Sequence, residues 1–284
     1  MKDLSLLEQI KIYLGVGNIS KSKNVAIFAV DSIKEIPVII NHFYKYPLIT
    51  HKLSDYLIFK QCFEIIKQGE HLTEGGLSEI ISLKSTLNLG IPDNLKNAFP
   101  NIKAKNRPEY FFKGIPDPFW ISGFTSGDGS FHIVHERKNS RTGIEGSATR
   151  RIFTRFSIHL HIRELEVLKG IANFFQLYPS IKPLSLCADN KEVVEGNEKK
   201  VIISSQSANL QIAKTSDILN KIIPFFNEYP ILGMKSLDFE DFKKVSTIIK
   251  TKDSLTNVSG ATLVNEILKI KSGMNLLRSK RTPK

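Results

Sequence analysis

The chain has 284 residues, of which 41% are apolar and 18 are phenylalanine, so it can bury one large or two modest cores and is not a disordered protein. Its formal net charge of +12 favours a polyanionic partner such as nucleic acid, although many basic proteins have none. The two cysteines, Cys62 and Cys187, have no metal-ligand spacing and exclude a disulfide framework, and no apolar run approaches the ~18 residues of a membrane span.

The first part of the chain predicts mostly helices. Its start, MKDLSLLEQIKIYL, has the apolar spacing of an amphipathic helix, and Asp3 and Glu8 argue against a targeting peptide. A strand is predicted over residues 24–30, and helices near Ile33, His51 and Leu77. Residues 89–117 contain four prolines and a basic cluster, so we expect a linker there.

The second part alternates between helical and strand patterns. Residues 118–126 predict a helix with Pro118 in its first turn, and the GDGS that follows is expected to end it. Two strands follow, FHIVHER and RRIFTRFSIHL, and later strands are expected near residues 181–186 and 201–205. Further helices are predicted from Arg163, from about Ser216, from Lys235 and near Leu263, before a basic tail over residues 276–284.

The strand RRIFTRFSIHL has a period-2 pattern that separates two faces. One face holds Ile152, Thr154, Phe156, Ile158 and Leu160, and the other holds Arg151, Phe153, Arg155, Ser157 and His159. We therefore expect one face to pack on a core and the other to be polar and basic. An antiparallel sheet with helices on one face is an α+β arrangement, and its other face is free to meet a ligand.

The sequence contains an internal repeat. FYKYPLITHKLSDYLIFKQCFEIIK from Phe43 aligns without a gap with FNEYPILGMKSLDFEDFKKVSTIIK from Phe226, which pairs Lys52 with Lys235. KDLSLLEQIKIYL from Lys2 aligns with RELEVLKGIANFF from Arg163, at a smaller separation along the chain. The difference between the two separations predicts an insertion in the second copy, with residues 189–200 as the natural place for much of it.

The repeat predicts about one and two-thirds copies of a unit. We expect an incomplete first repeat over residues 1–88, the linker over 89–117 and a complete second repeat over 118–275. The first copy lacks a counterpart of WISGFTSGDGSF, because the alignment places the equivalent of Asp128 upstream of Met1. If the protein is active, the reading frame upstream of Met1 is expected to encode a second such segment.

The segment WISGFTSGDGSF combines small residues with an acid at a helix end. Ser122, Gly123, Ser126 and Gly127 would lie on one side, where another helix could approach closely. Asp128 would then project past the packed helices, and a carboxylate placed there suits a hard cation such as Mg²⁺. The same residues also fit a plain helix end followed by a glycine-rich turn, with Asp128 as a turn residue.

This segment resembles the nonapeptide motif that names the LAGLIDADG homing-endonuclease family, with residues 121–129 at its nine positions. YPLITHKLSDY, YPILGMKSLDF and EHLTEGGLSEI are also typical of its single-chain, organelle intron-encoded members, and the resemblance covers residues 3–275. It implies two pseudo-symmetric repeats, each with an antiparallel DNA-binding sheet backed by helices. It also implies a monomer that cuts double-stranded DNA at a specific site and belongs to the mitochondrion.

The resemblance assigns roles to individual residues. Asp128 falls on the catalytic, metal-binding acid, and two such acids from the two repeats bind divalent cations, here expected to be Mg²⁺. Ser126 stands where a structural Asp often lies, and Lys52 and Lys235 fall near the scissile phosphates, although both also fit helix-surface lysines. Strands in the major groove would contact DNA through Ser130, His132, Val134, Glu136, Lys138, Arg151, Arg155, Ser157 and His159.

Two other functions fit part of this pattern. A maturase, which binds the RNA of its host intron and helps it to splice, would keep the basic surface while losing cleavage. A generic basic DNA-binding module would leave Gly123 and Gly127 unexplained. Asp128 favours nuclease ancestry but does not by itself decide between cleavage and splicing.

Overall fold

The computed structural model describes residues 3–23, 25–87, 90–138, 149–177, 201–203, 206–251 and 258–275. The chain divides into two compact units, Asp3–Gly114 and Ile115–Lys284. The strand predicted near residues 181–186, the insertion over 189–200 and the basic tail over 276–284 lie outside the described residues. In the part of the chain that is described, no helix is long and apolar enough to cross a membrane.

The first unit consists of helices and a two-stranded hairpin. Its helices are α1 (Leu4–Leu14), α2 (Ile36–Lys45), α3 (Lys52–Lys67), α4 (Glu74–Lys84) and the short α5 (Asp93–Ala98). Strands β1 (Asn18–Ser22) and β2 (Val25–Ala29) form an antiparallel pair. The predicted helices and β2 are confirmed to within a few residues. The sequence does not predict β1, because NISKS has little strand propensity.

The segment expected to be a linker packs on the first unit as far as Gly114. Arg107 donates one hydrogen bond to Asp55 Oδ1 on α3 (2.5 Å) and another to Thr86 O after α4 (2.9 Å). Tyr110 donates to Ile49 O, just before α3. These hydrogen bonds satisfy polar groups beside α3 and α4, so this proline-rich segment helps to fix both helices.

The second unit combines a four-stranded sheet with helices, which confirms the predicted α+β class. It begins with α6 (Pro118–Asp128), β3 (Gly129–Lys138), β4 (Thr149–His161), α7 (Leu165–Phe174), β5 (Val201–Ile203) and β6 (Ser207–Ile212). It continues with α8 (Thr215–Asp217), a π-helical turn (Ile218–Ile222), α9 (Ile223–Glu228), α10 (Lys235–Thr251) and α11 (Val258–Lys271).

The sheet has the strand order β3-β4-β6-β5, and each neighbouring pair is antiparallel. Helix α10 packs against β3 and β4, and α7 packs against β4 and β6. Beneath the sheet lies a phenylalanine cluster whose neighbouring ring centroids are 5.1 to 5.7 Å apart, formed by Phe131, Phe156, Phe226, Phe239 and Phe242. Large apolar rings in edge and offset contact make this cluster the centre of the unit's core.

The two faces predicted for β4 are confirmed along most of the strand, but Leu160, at the end of the predicted core face, is only half-buried. Ile152, Phe156 and Ile158 are at most 5% exposed, and Thr154 on the same face is 4% exposed. The hydroxyl of Thr154 shares a buried hydrogen bond of 2.8 Å with the hydroxyl of Ser246 on α10. A polar residue is tolerated on the core face because this bond satisfies it.

The internal repeat extends to the secondary structure of the two units. In the alignment that pairs Lys52 with Lys235, β1 and β2 correspond to β5 and β6, and α3 corresponds to α10. Both of these helices begin at the paired lysines. In the alignment of the chain start with the segment from Arg163, α1 corresponds to α7. Equivalent residues of the two units can therefore be compared directly.

Candidate functional site

Asp128 is the last residue of α6, and its side chain is exposed. The helix starts at Pro118. Asp117, the residue before it, caps the helix because its carboxylate accepts a hydrogen bond of 2.7 Å from Phe119 N. It ends two residues later than predicted: Gly127 and Asp128 are still helical, and Gly129 begins β3. The acid therefore lies at a direct junction between helix and strand, and not in a separate glycine-rich turn.

Lys235, the first residue of α10, binds the end of α6. Its Nζ donates to Gly127 O at 2.7 Å and to Thr125 O at 3.1 Å. The last carbonyls of a helix lack helical partners and carry the negative end of the helix dipole, so an ammonium group stabilises them. This contact explains why the helix continues through Gly127, and it places a positive charge beside the backbone of the residue before Asp128. The equivalent Lys52 instead pairs with Asp55 Oδ2 at 3.1 Å.

The four small residues predicted to share one side of α6 point in two directions. Ser122 is buried and donates to Pro230 O at 2.5 Å, while Ser126 donates to Ser122 O at 2.9 Å and accepts from Leu232 N at 3.0 Å. The two serines thus bind α6 to the loop before α10.

Gly123 and Gly127 have a different environment from the serines. Both are exposed, and a Cβ added at either position would meet nothing within 4 Å. Of the four small residues, the two glycines are the ones that present bare helix backbone on the surface of the unit.

The open face of β3 and β4 carries most of the residues predicted to contact DNA. Its cross-strand pairs are Ser130 with Ser157, His132 with Arg155, Val134 with Phe153 and Glu136 with Arg151. Glu136 and His159 are exposed, whereas His132, Val134 and Arg155 are half-buried. Ser157 is 9% exposed. The strand positions of Lys138 and Arg151 agree with this face, but their side chains lie outside the described residues.

Strand β6 adds polar residues that the sequence prediction omits. Ala208, Leu210 and Ile212 are fully buried, so Ser207, Asn209 and Gln211 fall on the open face. The register places Gln211 beside Ser157 and Asn209 beside His159. The alternation of SANLQI is a usable strand signal, but its polar residues include Asn, which strands disfavour.

Arg155 places a positive charge near the centre of the open face, opposite His132. Burial and the neighbouring charge of Arg155 lower the pKa of His132, Asp238 opposes this shift, and Lys271 adds to it. The Nε of Arg155 is buried without a hydrogen-bond partner among the described residues. Arg155 also forms no ion pair in the described part of the chain. Because the Nε is enclosed and the side chain is half-buried, the terminal amino groups are the part of the Arg155 guanidinium that a ligand could contact.

The donor set fits a divalent cation that a substrate helps to bind. Among the described residues, no three acidic, histidine or cysteine side chains are grouped so that they could hold a metal ion by themselves. Asp128 supplies one exposed carboxylate. Mg²⁺ is often bound by only one or two carboxylates, together with waters and substrate phosphates, so a single exposed acid is compatible with such a site.

The sequence profile of the LAGLIDADG endonuclease family matches residues 1–63 and 121–246 of the chain. The two matched segments lie in the two units and include the whole of the motif from Ile121 to Gly129, so the chain belongs to the LAGLIDADG endonuclease family.

Individual relatives are similar over most of the chain. The probable intron-encoded endonuclease 3 of Neurospora crassa is 31% identical over 272 residues, which are 94% of this chain and 46% of the relative. The crystal structure of the LAGLIDADG meganuclease I-CpaMI bound to uncleaved DNA matches with a TM-score of 0.81 and 43% identity, over 96% of this chain and 85% of that one.

A second similar structure was determined in the presence of calcium ions. I-SmaMI, bound to an uncleaved DNA target in the presence of calcium ions, matches with a TM-score of 0.78 and 34% identity, over 96% of this chain and 84% of that one. These structures confirm the expected LAGLIDADG fold. The chain spans about half the length of the first curated relatives it matches, 46% of one and 56% of another.

Proposed function

We propose that the protein is a site-specific, metal-dependent endonuclease that acts on double-stranded DNA. The observation that carries this proposal is the junction of α6 and β3, where an exposed acid is followed at once by the strand whose open face is polar and basic. A catalytic acid at that position would lie at the end of the surface that binds the substrate.

The open face of the second unit suits the major groove. A two-stranded ribbon fits into that groove, and its outward side chains then meet base edges and phosphates. On β3 and β4 these side chains include Ser130, His132, Arg155 and His159. The net charge of +12 adds sequence-independent attraction to the phosphate backbone.

Asp128 is the residue we propose to hold the cation, which we expect to be Mg²⁺. When bound, such a cation polarises the scissile phosphate, activates a water molecule and stabilises the leaving oxygen. The role of the chain is to fix the position of the carboxylate. Lys235 does this through the carbonyls of Gly127 and Thr125, and Ser126 does it through Leu232 N.

We further propose that one chain acts as a monomer on one duplex, and that its gene lies in a mitochondrial intron. The support for the second point is that similar proteins are named as intron-encoded endonucleases, including one of Neurospora crassa. Lys52 and Lys235 are proposed to lie near the scissile phosphates, because they begin equivalent helices of the two units.

The proposal is tested with the protein translated from its natural reading frame and a plasmid that carries the uninterrupted junction of the host gene. With Mg²⁺ we expect linear product, with EDTA no product, and with Ca²⁺ a gel shift without cutting. A plasmid with a scrambled junction is the control and should stay supercoiled.

Two results would overturn the proposal. One is an uncut junction plasmid in the presence of Mg²⁺ and Mn²⁺. The other is tight and specific binding to the host intron RNA without any DNA cutting, which would indicate a maturase. The stoichiometry of the Ca²⁺ complex, measured by mass photometry, tests the monomer.

A further inference from the structure

We infer that Gln211 and Arg155 specify part of the target sequence, and that the second unit selects an adenine contacted by Gln211 and a guanine contacted by Arg155, about two base pairs apart. This inference rests on the proposed DNA-binding function and deepens it. It names two bases of the substrate and adds a residue of β6 to the DNA-contacting set.

The two side chains lie on the same face of adjacent strands. Gln211 on β6 is directly beside Ser157 on β4, and Arg155 is two residues before Ser157 on the same strand. Such diagonal neighbours are about 7–8 Å apart. Successive bases of a strand are spaced by ~3.4 Å along B-DNA, so the two side chains match bases about two steps apart.

The residues between them leave both side chains room to extend. Ser157, which separates them along the face, is short and 9% exposed. On its other side lies Ser130, which is also short. Gln211 and Arg155 therefore project on either side of a shallow hollow, where a base edge can approach them.

Neither side chain is bound within the protein as described. Gln211 forms no side-chain hydrogen bond to any described residue. The Nε of Arg155 is enclosed and has no partner there either, so the two terminal amino groups would make its contact to a base. A glutamine amide offers a donor and an acceptor that match N7 and N6 of adenine. An arginine fork matches O6 and N7 of guanine.

Asn209 is the alternative reader on β6, and its geometry makes it the weaker one. Its Oδ1 is buried without a partner among the described residues, so the amide cannot present both its donor and its acceptor to a base. It lies between His159 and Ile202, one row away from the hollow. Gln211 has no such constraint.

The test is a selection of binding sites from a randomised duplex library in Ca²⁺, with the full chain and three variants. Wild type should enrich one adenine and one guanine about two positions apart. Gln211→Ala should lose about 10-fold preference at the adenine position and nowhere else, and Gln211→Glu should shift that position toward cytosine. Gln206→Ala, an exposed glutamine before β6, is the matched control and should select the wild-type site.

Each outcome separates this inference from the proposed function. If wild type selects a sequence but Gln211→Ala and Gln211→Glu keep its adenine, the inference is wrong and the endonuclease proposal stands. An equal loss at every position in both variants, with a lowered melting temperature, also contradicts base reading. If wild type selects no sequence at all, the proposed function fails together with the inference.

Discussion

The two units contain the same repeated elements, yet equivalent residues have different surroundings. Phe242 on α10 is fully buried, with its ring centroid 5.1 Å from that of Phe131, whereas its counterpart Phe59 on α3 is 41% exposed. Helix α10 packs against β3 and β4, but α3 packs chiefly against α4. The same side chain is thus a core residue in one unit and a surface residue in the other, according to whether a sheet covers it.

Asp55 and Asp238 are a second pair of equivalent residues, and both accept a hydrogen bond from a later segment of their own unit, although from different partners. Asp55 on α3 accepts from Arg107, and Asp238 on α10 accepts from Asn275 N at 3.0 Å. Each acid binds the segment that follows the last long helix of its unit. The hydrogen bond between this acid and the segment that follows is therefore kept in both units, whereas the packing around the equivalent phenylalanine is not.

The largest expected effect is at the phenylalanine pair. Phe242→Ala should lower the free energy of unfolding of the second unit by about 3–5 kcal/mol, because it leaves a cavity in a packed core. Phe59→Ala should cost less than about 1 kcal/mol. Urea unfolding of the second unit is followed by the fluorescence of Trp120, the single tryptophan of the chain, and the Phe59 variant is followed by far-UV circular dichroism, to which the helices of both units contribute. Equal costs at the two positions would contradict the comparison.

The lysine pair should give an intermediate effect. Lys235→Met removes two charge-assisted hydrogen bonds to α6 and should destabilise the second unit by about 1–3 kcal/mol. Lys52→Met removes an exposed ion pair with Asp55 and should cost at most about 1 kcal/mol. Amide hydrogen exchange at Gly129, whose N–H binds Thr125 O, should quicken in the first variant alone. Unchanged exchange there would show that Lys235 does not fix the helix end.

The smallest expected effect is a pH dependence. The pKa of His132 in the folded protein is lowered, so the unfolded state binds more protons as the pH falls below the ordinary value of ~6.5. The second unit should therefore lose stability between pH 7.5 and pH 5.5, by less than the Lys235 effect, and His132→Gln should reduce that loss. Burial also lowers the pKa of His42, but in the first unit, so His42→Gln should leave the Trp120 transition unchanged. An unaltered loss in His132→Gln would contradict this.

The sequence predicts the fold well where periodicity and repetition reinforce each other. The alternation over Thr149–His161 defines both faces of β4, and the repeat of Lys52 at Lys235 marks the start of two equivalent helices. Asp128 could be singled out because an acid between glycines at a helix end is unusual. The family resemblance assigns to Asp128 a role that the spacing alone leaves open.

Other features could not be predicted because they depend on tertiary contacts. Helix α6 continues past the predicted stop because Lys235, far along the chain from Gly127, binds its last carbonyls. The small residues of α6 point in two directions because Ser122 and Ser126 bind backbone atoms of Pro230 and Leu232. The alternation of β6 is visible in the sequence, but the contribution of its polar residues to the open face depends on their alignment beside β4.

The most direct measurement compares two changes at opposite ends of α6 in the Mg²⁺ cleavage assay on the target duplex. Asp128→Asn should lower the cleavage rate by more than about 100-fold while binding in Ca²⁺ stays within a few-fold of wild type. Asp117→Asn keeps an effective helix cap and should cut at the wild-type rate. Equal cutting by Asp128→Asn and wild type would contradict the account that the junction of α6 and β3 is the catalytic centre.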